Sequence, residues 1–230
     1  MTTNGVIHKT GLLFLGMAAV TLWIWNRFYT QGPDAFRTPM IAGGLGAVSI
    51  ALVTIFKKKW AKFTAPLFAL FQGMFVGGVS TFLESRLPGI PLQVVAHSFV
   101  ILLFVLVAHR SGLFAPTQEV EIWMTSVGGS VTLLLAVTVA SRYFGVSFFG
   151  YPNSGWAAVG ISCLIAGITA YGLLVDFDFV DLGSTNSAPK QLEWLAALGL
   201  IVTLVWTYVR VARLISQATV LTRPYRSFTN

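Results

Sequence analysis

The spacing between charges is the feature that most constrains what this chain can fold into. Lys9 and Arg27 enclose one uncharged run, Arg37 and Lys57 a second, Lys62 and Glu84 a third, Arg86 and Arg110 a fourth, and Glu121 and Arg142 a fifth. Each has the length of a helix that crosses the ~30 Å hydrocarbon core of a bilayer, which takes about 20 apolar residues. The next gap, Tyr143 to Val175, is too long for one crossing. The turn-forming stretch Gly150-Tyr151-Pro152-Asn153-Ser154-Gly155 interrupts it and places a sixth span from Trp156 to Val175. A seventh runs from Trp194 to about Ile215. Only 10% of the residues are charged and 55% are hydrophobic, against about 25% charged in an ordinary soluble domain, so a soluble fold is excluded.

The expected fold is an all-α integral membrane protein, a bundle of seven transmembrane helices. It forms one domain over 1–230, with spans at about 11–26, 38–56, 64–83, 88–108, 122–141, 156–175 and 194–215. The first run is read as a retained helix, because it is long and no small-residue cleavage site follows before Asn26-Arg27. No internal repeat and no linker divides the chain. The single Cys163 falls inside the sixth span, where a small buried hydrophobe is expected and no disulfide framework can form.

The net charge of +7 does not point to nucleic acid, since the basic residues are strung through short connections around the spans. They divide evenly, seven to a side, with Lys9, Lys57, Lys58, Lys59, Lys62, Arg110 and Lys190 facing Arg27, Arg37, Arg86, Arg142, Arg213, Arg223 and Arg226. Lys57-Lys58-Lys59-Trp60-Ala61-Lys62 gathers four of them in one short loop. Such a group is the hardest to translocate, which puts the N-terminal side inside. On the third span, Gly73-Met74-Phe75-Val76-Gly77 is a G-x-x-x-G, read as a packing contact between helices of the same chain.

Ionisable residues at membrane depth are costly and are therefore the default functional candidates. The densest group is Asp176, Asp178 and Asp181 at the exit of the sixth span. Asp176 is nearest the apolar run, and its carboxylate could take up a proton or attract a hard cation such as Ca²⁺. Asp178 is its nearest helper, while Asp178 and Asp181 also read more simply as hydrated acids past the helix end. His97, in the middle of the fourth span, is expected to be an interior, hydrogen-bonded and neutral histidine; the competing role is a proton-sensitive switch. Glu84 and Arg86 end the third span as interfacial charges. Arg210 and Arg213 are expected to snorkel to the head groups from the end of the seventh.

Enzyme chemistry is not expected. No G-x-S-x-G surrounds any Ser, the seventh span has no acid to complete an aspartyl dyad, every Lys lies outside the spans, and three His with one Cys do not make a metal site of ordinary spacing. No catalytic residue, resident metal or cofactor is therefore assigned.

Two stretches carry a resemblance. Ala65-Pro66-Leu67-Phe68-Ala69-Leu70-Phe71-Gln72-Gly73-Met74-Phe75-Val76-Gly77-Gly78-Val79-Ser80, followed by Leu87-Pro88-Gly89-Ile90, resembles the third-helix region of the bacterial branch of the Bax inhibitor-1 family. Leu174-Val175-Asp176-Phe177-Asp178-Phe179, continuing through Ser187-Ala188-Pro189-Lys190 and Glu193-Trp194 into Gly199 to Trp206, resembles the same family more specifically. The resemblance implies a seventh helix surrounded by the other six, residence in the cell inner (plasma) membrane, and a role as a pH-sensitive calcium leak. In such members an acid ending the sixth helix, here Asp176, pairs with an acid in the seventh. That second acid has no counterpart: one alignment puts Arg210 in its place, another puts Leu200 to Val202 there, and Gln72 stands where this branch carries Glu. Arg210 lies ~24 Å along the helix from Trp194 at 1.5 Å per residue, too deep to meet Asp176. Two functions stay open: a proton-modulated calcium leak, whose partners are the lipid bilayer, Ca²⁺ and H⁺, or a non-conducting protein that restrains a membrane protease or another membrane-protein partner.

Overall fold

A computed structural model describes residues 1–32, 36–111 and 155–222. Among the described residues all regular structure is helical, and six helices are long and apolar enough to cross a membrane. They are α1 Thr3–Gln31, α2 Arg37–Phe56, α3 Ala61–Arg86, α4 Ile90–Arg110, α5 Trp156–Thr185 and α6 Leu192–Thr222. A 3₁₀ turn, Lys58–Trp60, joins α2 to α3. α5 and α6 fall where the sixth and seventh spans were expected. The fifth, 122–141, lies outside the described residues, as do the turn 150–154, Arg142, Arg223 and Arg226.

Local chemistry sets the helix ends. Thr2 caps α1 by accepting the Gly5 N–H at 3.1 Å on its hydroxyl, which satisfies one of the donors a helix start leaves open. Gly32 and Gly89 have φ of +92° and +82°, a region that side chains disfavour, and they end α1 and lead into α4. Pro91 sits in the first turn of α4, where its missing N–H costs no bond.

Two helices run further than their apolar runs imply. α5 continues past Val175 through all three acids to Thr185, because Phe177 and Val180 are still packed there against Val6, Ala196 and Leu200. Asp178 and Asp181 are thus helical residues and not loop acids. α6 continues past Ile215 to Thr222, which leaves Arg210 well inside the helix and buried, at 7% exposure. It does not snorkel: its guanidinium lies over the Trp206 ring, 5.4 Å from the centroid. Arg213 is half-buried.

α6 is the most buried of the six helices and packs against α1, α3, α4 and α5. The small residues of α3 allow close approach to two neighbours. A Cβ on Gly73 would stand 2.5 Å from the Met17 carbonyl oxygen of α1, and one on Gly78 would stand 2.5 Å from the Met40 Cβ of α2. Gly77 likewise faces Ile24 of α1, so the G-x-x-x-G packs inside the chain. A buried hydrogen bond of 2.7 Å between Ser80 and the Tyr208 hydroxyl ties α3 to α6. The outer faces carry exposed Leu15, Leu22, Leu45, Leu103 and Phe104, as expected of surfaces that meet lipid tails. Cys163 is on such a face, exposed rather than buried.

Candidate functional site

The start of α1, the end of α4, the end of α5 and the start of α6 meet at one end of the bundle, where Lys9 pairs with Glu193 and His109 with Asp178 and Asp181. An α-helix turns about 100° per residue, so positions two apart point in nearly opposite directions while positions three apart share a face. Because α5 stays helical through its acids, Asp176 is directed to α6 and Asp178 and Asp181 are directed together to α4.

Asp176 stands against Gly199: a Cβ there would lie 3.5 Å from Oδ1. Thr203, one turn further along α6, is its polar neighbour, and the Thr203 hydroxyl donates to the Gly199 carbonyl at 3.2 Å. The second carboxylate oxygen, Oδ2, is buried without a hydrogen-bond partner among the described residues. Leu200, where the resemblance implied an acid, is buried among Met1, Val6, Val180 and Ala196. Across from Asp176 the last helix therefore offers a hydroxyl and hydrocarbon, and no carboxylate.

Asp178 meets a residue that sequence reasoning did not single out. The Nδ1 of His109, in the last turn of α4, is 3.4 Å from Asp178 Oδ1, and its Nε2 is 3.0 Å from Asp181 Oδ2. The imidazole also lies 5.5 Å from the Phe177 ring. Nothing local marks His109, since its contact with Asp181 joins residues 72 apart; the one signal was a histidine at the same end of the bundle as the acids.

A third group closes α1 onto α6. Glu193, 4% exposed, accepts from the Thr2 N–H at 2.9 Å and the Thr2 hydroxyl at 3.2 Å and forms an ion pair with Lys9. The Lys9 ammonium lies over the Trp194 ring at 5.4 Å. Glu193 is thus the buried acid at the start of the last helix, and it is engaged with α1 instead of Asp176.

The remaining candidates lie apart from this end. His97 faces outward and is exposed, with Nδ1 2.7 Å from the Gln93 carbonyl oxygen one turn back; it is hydrogen-bonded as expected but not interior. Twelve residues separate it from His109, ~18 Å along the helix. Gln72 is buried on α3. Counted back from the Ser80–Tyr208 contact it lies near the depth of Leu200, ~12 Å from that contact. Arg210 is eleven positions past Gly199, ~16 Å beyond Asp176 along α6. At the opposite end a cleft of about 530 Å³ opens between α2 and α3, lined by Arg37, Phe82 and Arg86, far from every acid of α5.

A family model described as Bax inhibitor 1 like matches residues 1–219. No curated protein and no solved structure matches the chain significantly.

Proposed function

The chain belongs to the Bax inhibitor-1-like family, a multi-pass membrane protein, and on that premise we propose that it is a proton-modulated cation leak with calcium as the permeant ion. The observation that carries this reading is Asp176, an acid at the edge of the apolar run, set against Gly199 and Thr203 of the most buried helix, with one carboxylate oxygen unpartnered among the described residues. Charge placed there without a counter-ion is costly, and hard oxygens are what a calcium ion takes as ligands. Such a carboxylate is available to a proton or to a cation, and exchanging one for the other is how pH would set the flux. Asp178 is directed away from this site, to His109 of α4. The protein acts without catalysis, in the inner (plasma) membrane, as one domain of seven spans with the last at the centre. The direction of the helices supports that count. α4 and α5 run the same way, pairing Val105 with Leu173 and Leu174 and His109 with Asp178 and Asp181. Arg110 and Trp156 therefore stand at opposite faces, as a further crossing between them requires.

The alternative is a non-conducting protein that restrains a membrane protease or other membrane partner. It is supported by Leu200, which puts hydrocarbon where a two-acid sensor needs its second carboxylate. Purified protein in calcium-loaded liposomes separates the two. The leak reading expects a flux that changes with pH in the wild type and stays at its low-pH level at every pH in Asp176→Asn. A wild-type profile retained by Asp176→Asn, or no wild-type flux at any pH, overturns it in favour of the interaction protein.

A further inference from the structure

We propose that His109, Asp178 and Asp181 form a proton-binding site that fastens α4 to α5 when the imidazole is doubly protonated. Both ring nitrogens face carboxylate oxygens, at 3.4 and 3.0 Å. A neutral imidazole has one N–H and one lone pair, and an ionised carboxylate only accepts. In the neutral form one of the two contacts therefore sets a lone pair against a carboxylate oxygen. One added proton turns both nitrogens into donors, one for Asp178 Oδ1 and one for Asp181 Oδ2, and charge-assisted bonds of this kind are the stronger ones. The position of His109 in the last turn of α4 also places a cation at the carbonyl end of the helix dipole. Asp178 and Asp181 are spaced to share one face of α5, so a single imidazole spans both.

The site is neither sealed nor open. The side chains of His109 and Asp178 are 13% and 27% exposed, while that of Asp181 is 60% exposed, so protons reach the site from water along Asp181. Among the described residues this end also carries exposed Lys57, Lys58 and Lys59 of the turn before α3, Lys190 between α5 and α6, His8 of α1, and the terminal ammonium of Met1, which donates to the Ala188 carbonyl. α4 adds Arg110, the next residue; α3, which also packs on α4, brings Lys62, whose ammonium lies over Phe63; and α6 brings Glu193, paired with Lys9. Asp176, on the far side of α5, faces α6. Lowering the pH loads the site and draws the ends of α4 and α5 together. Raising it leaves a single donor for two carboxylates and releases them. Because Asp176 is two residues from Asp178 on the same helix, movement of α5 at His109 also moves Asp176 relative to Gly199 and Thr203. The site deepens the leak reading and rests on it only for that consequence.

Spin labels at Leu106→Cys and Leu182→Cys, both exposed positions beside the site, in full-length Cys163→Ala protein in phosphatidylglycerol–phosphatidylethanolamine liposomes, report the α4–α5 separation by electron paramagnetic resonance. From about pH 8 to about pH 5, the range over which histidine commonly changes charge, the interspin distance is expected to shorten and its distribution to narrow. His109→Gln, which keeps a hydrogen-bonding side chain without titration, loses that response. So does the double variant Asp178→Asn with Asp181→Asn, which provides the same readout if His109→Gln misfolds; His8→Gln keeps it. An unchanged response in His109→Gln or in the double Asn variant, or no response in the wild type, overturns the site. A pH-dependent distance in protein that passes no calcium leaves the site standing and removes the leak.

Discussion

At the scale of single residues, what an acid does here depends on what it meets. Asp176 and Glu193 sit at the same end of the bundle. Glu193 is the more buried, but it has Lys9 and both polar groups of Thr2, whereas Asp176 has only Thr203 as a polar neighbour on α6. The first arrangement is structural. Replacing Lys9 with Met leaves the Glu193 carboxylate buried with Thr2 alone, and stranding a buried charged group costs about 1–3 kcal/mol or more. Lys9→Met should lower the thermal midpoint in detergent by several degrees, and Glu193→Gln, which keeps the Thr2 bonds without the charge, by less. Equal midpoints for Lys9→Met and wild type would show that the pair contributes nothing to stability. Asp176 was legible from its place at the edge of the apolar run. His109 was not, because its partners are on another helix and no spacing along α4 marks it. His97 was legible as a hydrogen-bonding residue but not as an outward-facing one, and Cys163 was expected inside and stands outside for the same reason. A run that is apolar on all sides does not say which side meets lipid.

At the scale of the elements, α3 is the one whose contacts its residues announced. The Gly73 to Gly77 spacing was read as close packing, and α1 lies there, with the Met17 carbonyl oxygen 2.5 Å from where a Gly73 Cβ would be. The obstacle is backbone, which cannot rotate away, so Gly73→Ala must push α1 and α3 apart. Overpacking of this sort costs about 1–3 kcal/mol. Thermal unfolding of Gly73→Ala should fall accordingly, while Gly11→Ala, where a Cβ meets nothing within 4 Å, should not. If both behave like wild type, α3 does not depend on that contact. The ends of α5 and α6 were less legible. Counting uncharged residues stops a helix at its first charge, yet α5 passes through three acids to Thr185, since Phe177 and Val180 remain packed on neighbours and the acids each find a side of the helix that tolerates them. That extension separates Asp176 from Asp178. Had the chain unwound at Val175, the two could have faced one another.

At the scale of the whole molecule, orientation follows from where the lysines are. Lys57, Lys58, Lys59 and Lys62 are all exposed at the end that also holds His109, Asp178 and Glu193, and a cluster of this size in a short loop resists translocation. That end is expected to face the cytoplasm. In a Cys163→Ala background, a cysteine at Ser85, near the other end of α3, should react with an impermeant thiol reagent in intact cells, and one at Lys58 only after permeabilisation. The reverse pattern would invert the topology and put the proton-binding end outside. The sequence by itself determined that the chain is a multi-pass helical membrane protein, that it carries Bax inhibitor-1-like motifs, and that Asp176 is the one of the three acids of α5 nearest the apolar run. These follow from run lengths and local patterns, quantities that exist along one dimension. The tertiary structure alone decided which partner each acid has: Asp176 with Gly199 and Thr203, Asp178 and Asp181 with His109, Glu193 with Lys9 and Thr2. Partners depend on which helices adjoin and on how each is rotated about its axis, and with about 100° of turn per residue a helix apolar on every side leaves that rotation to packing.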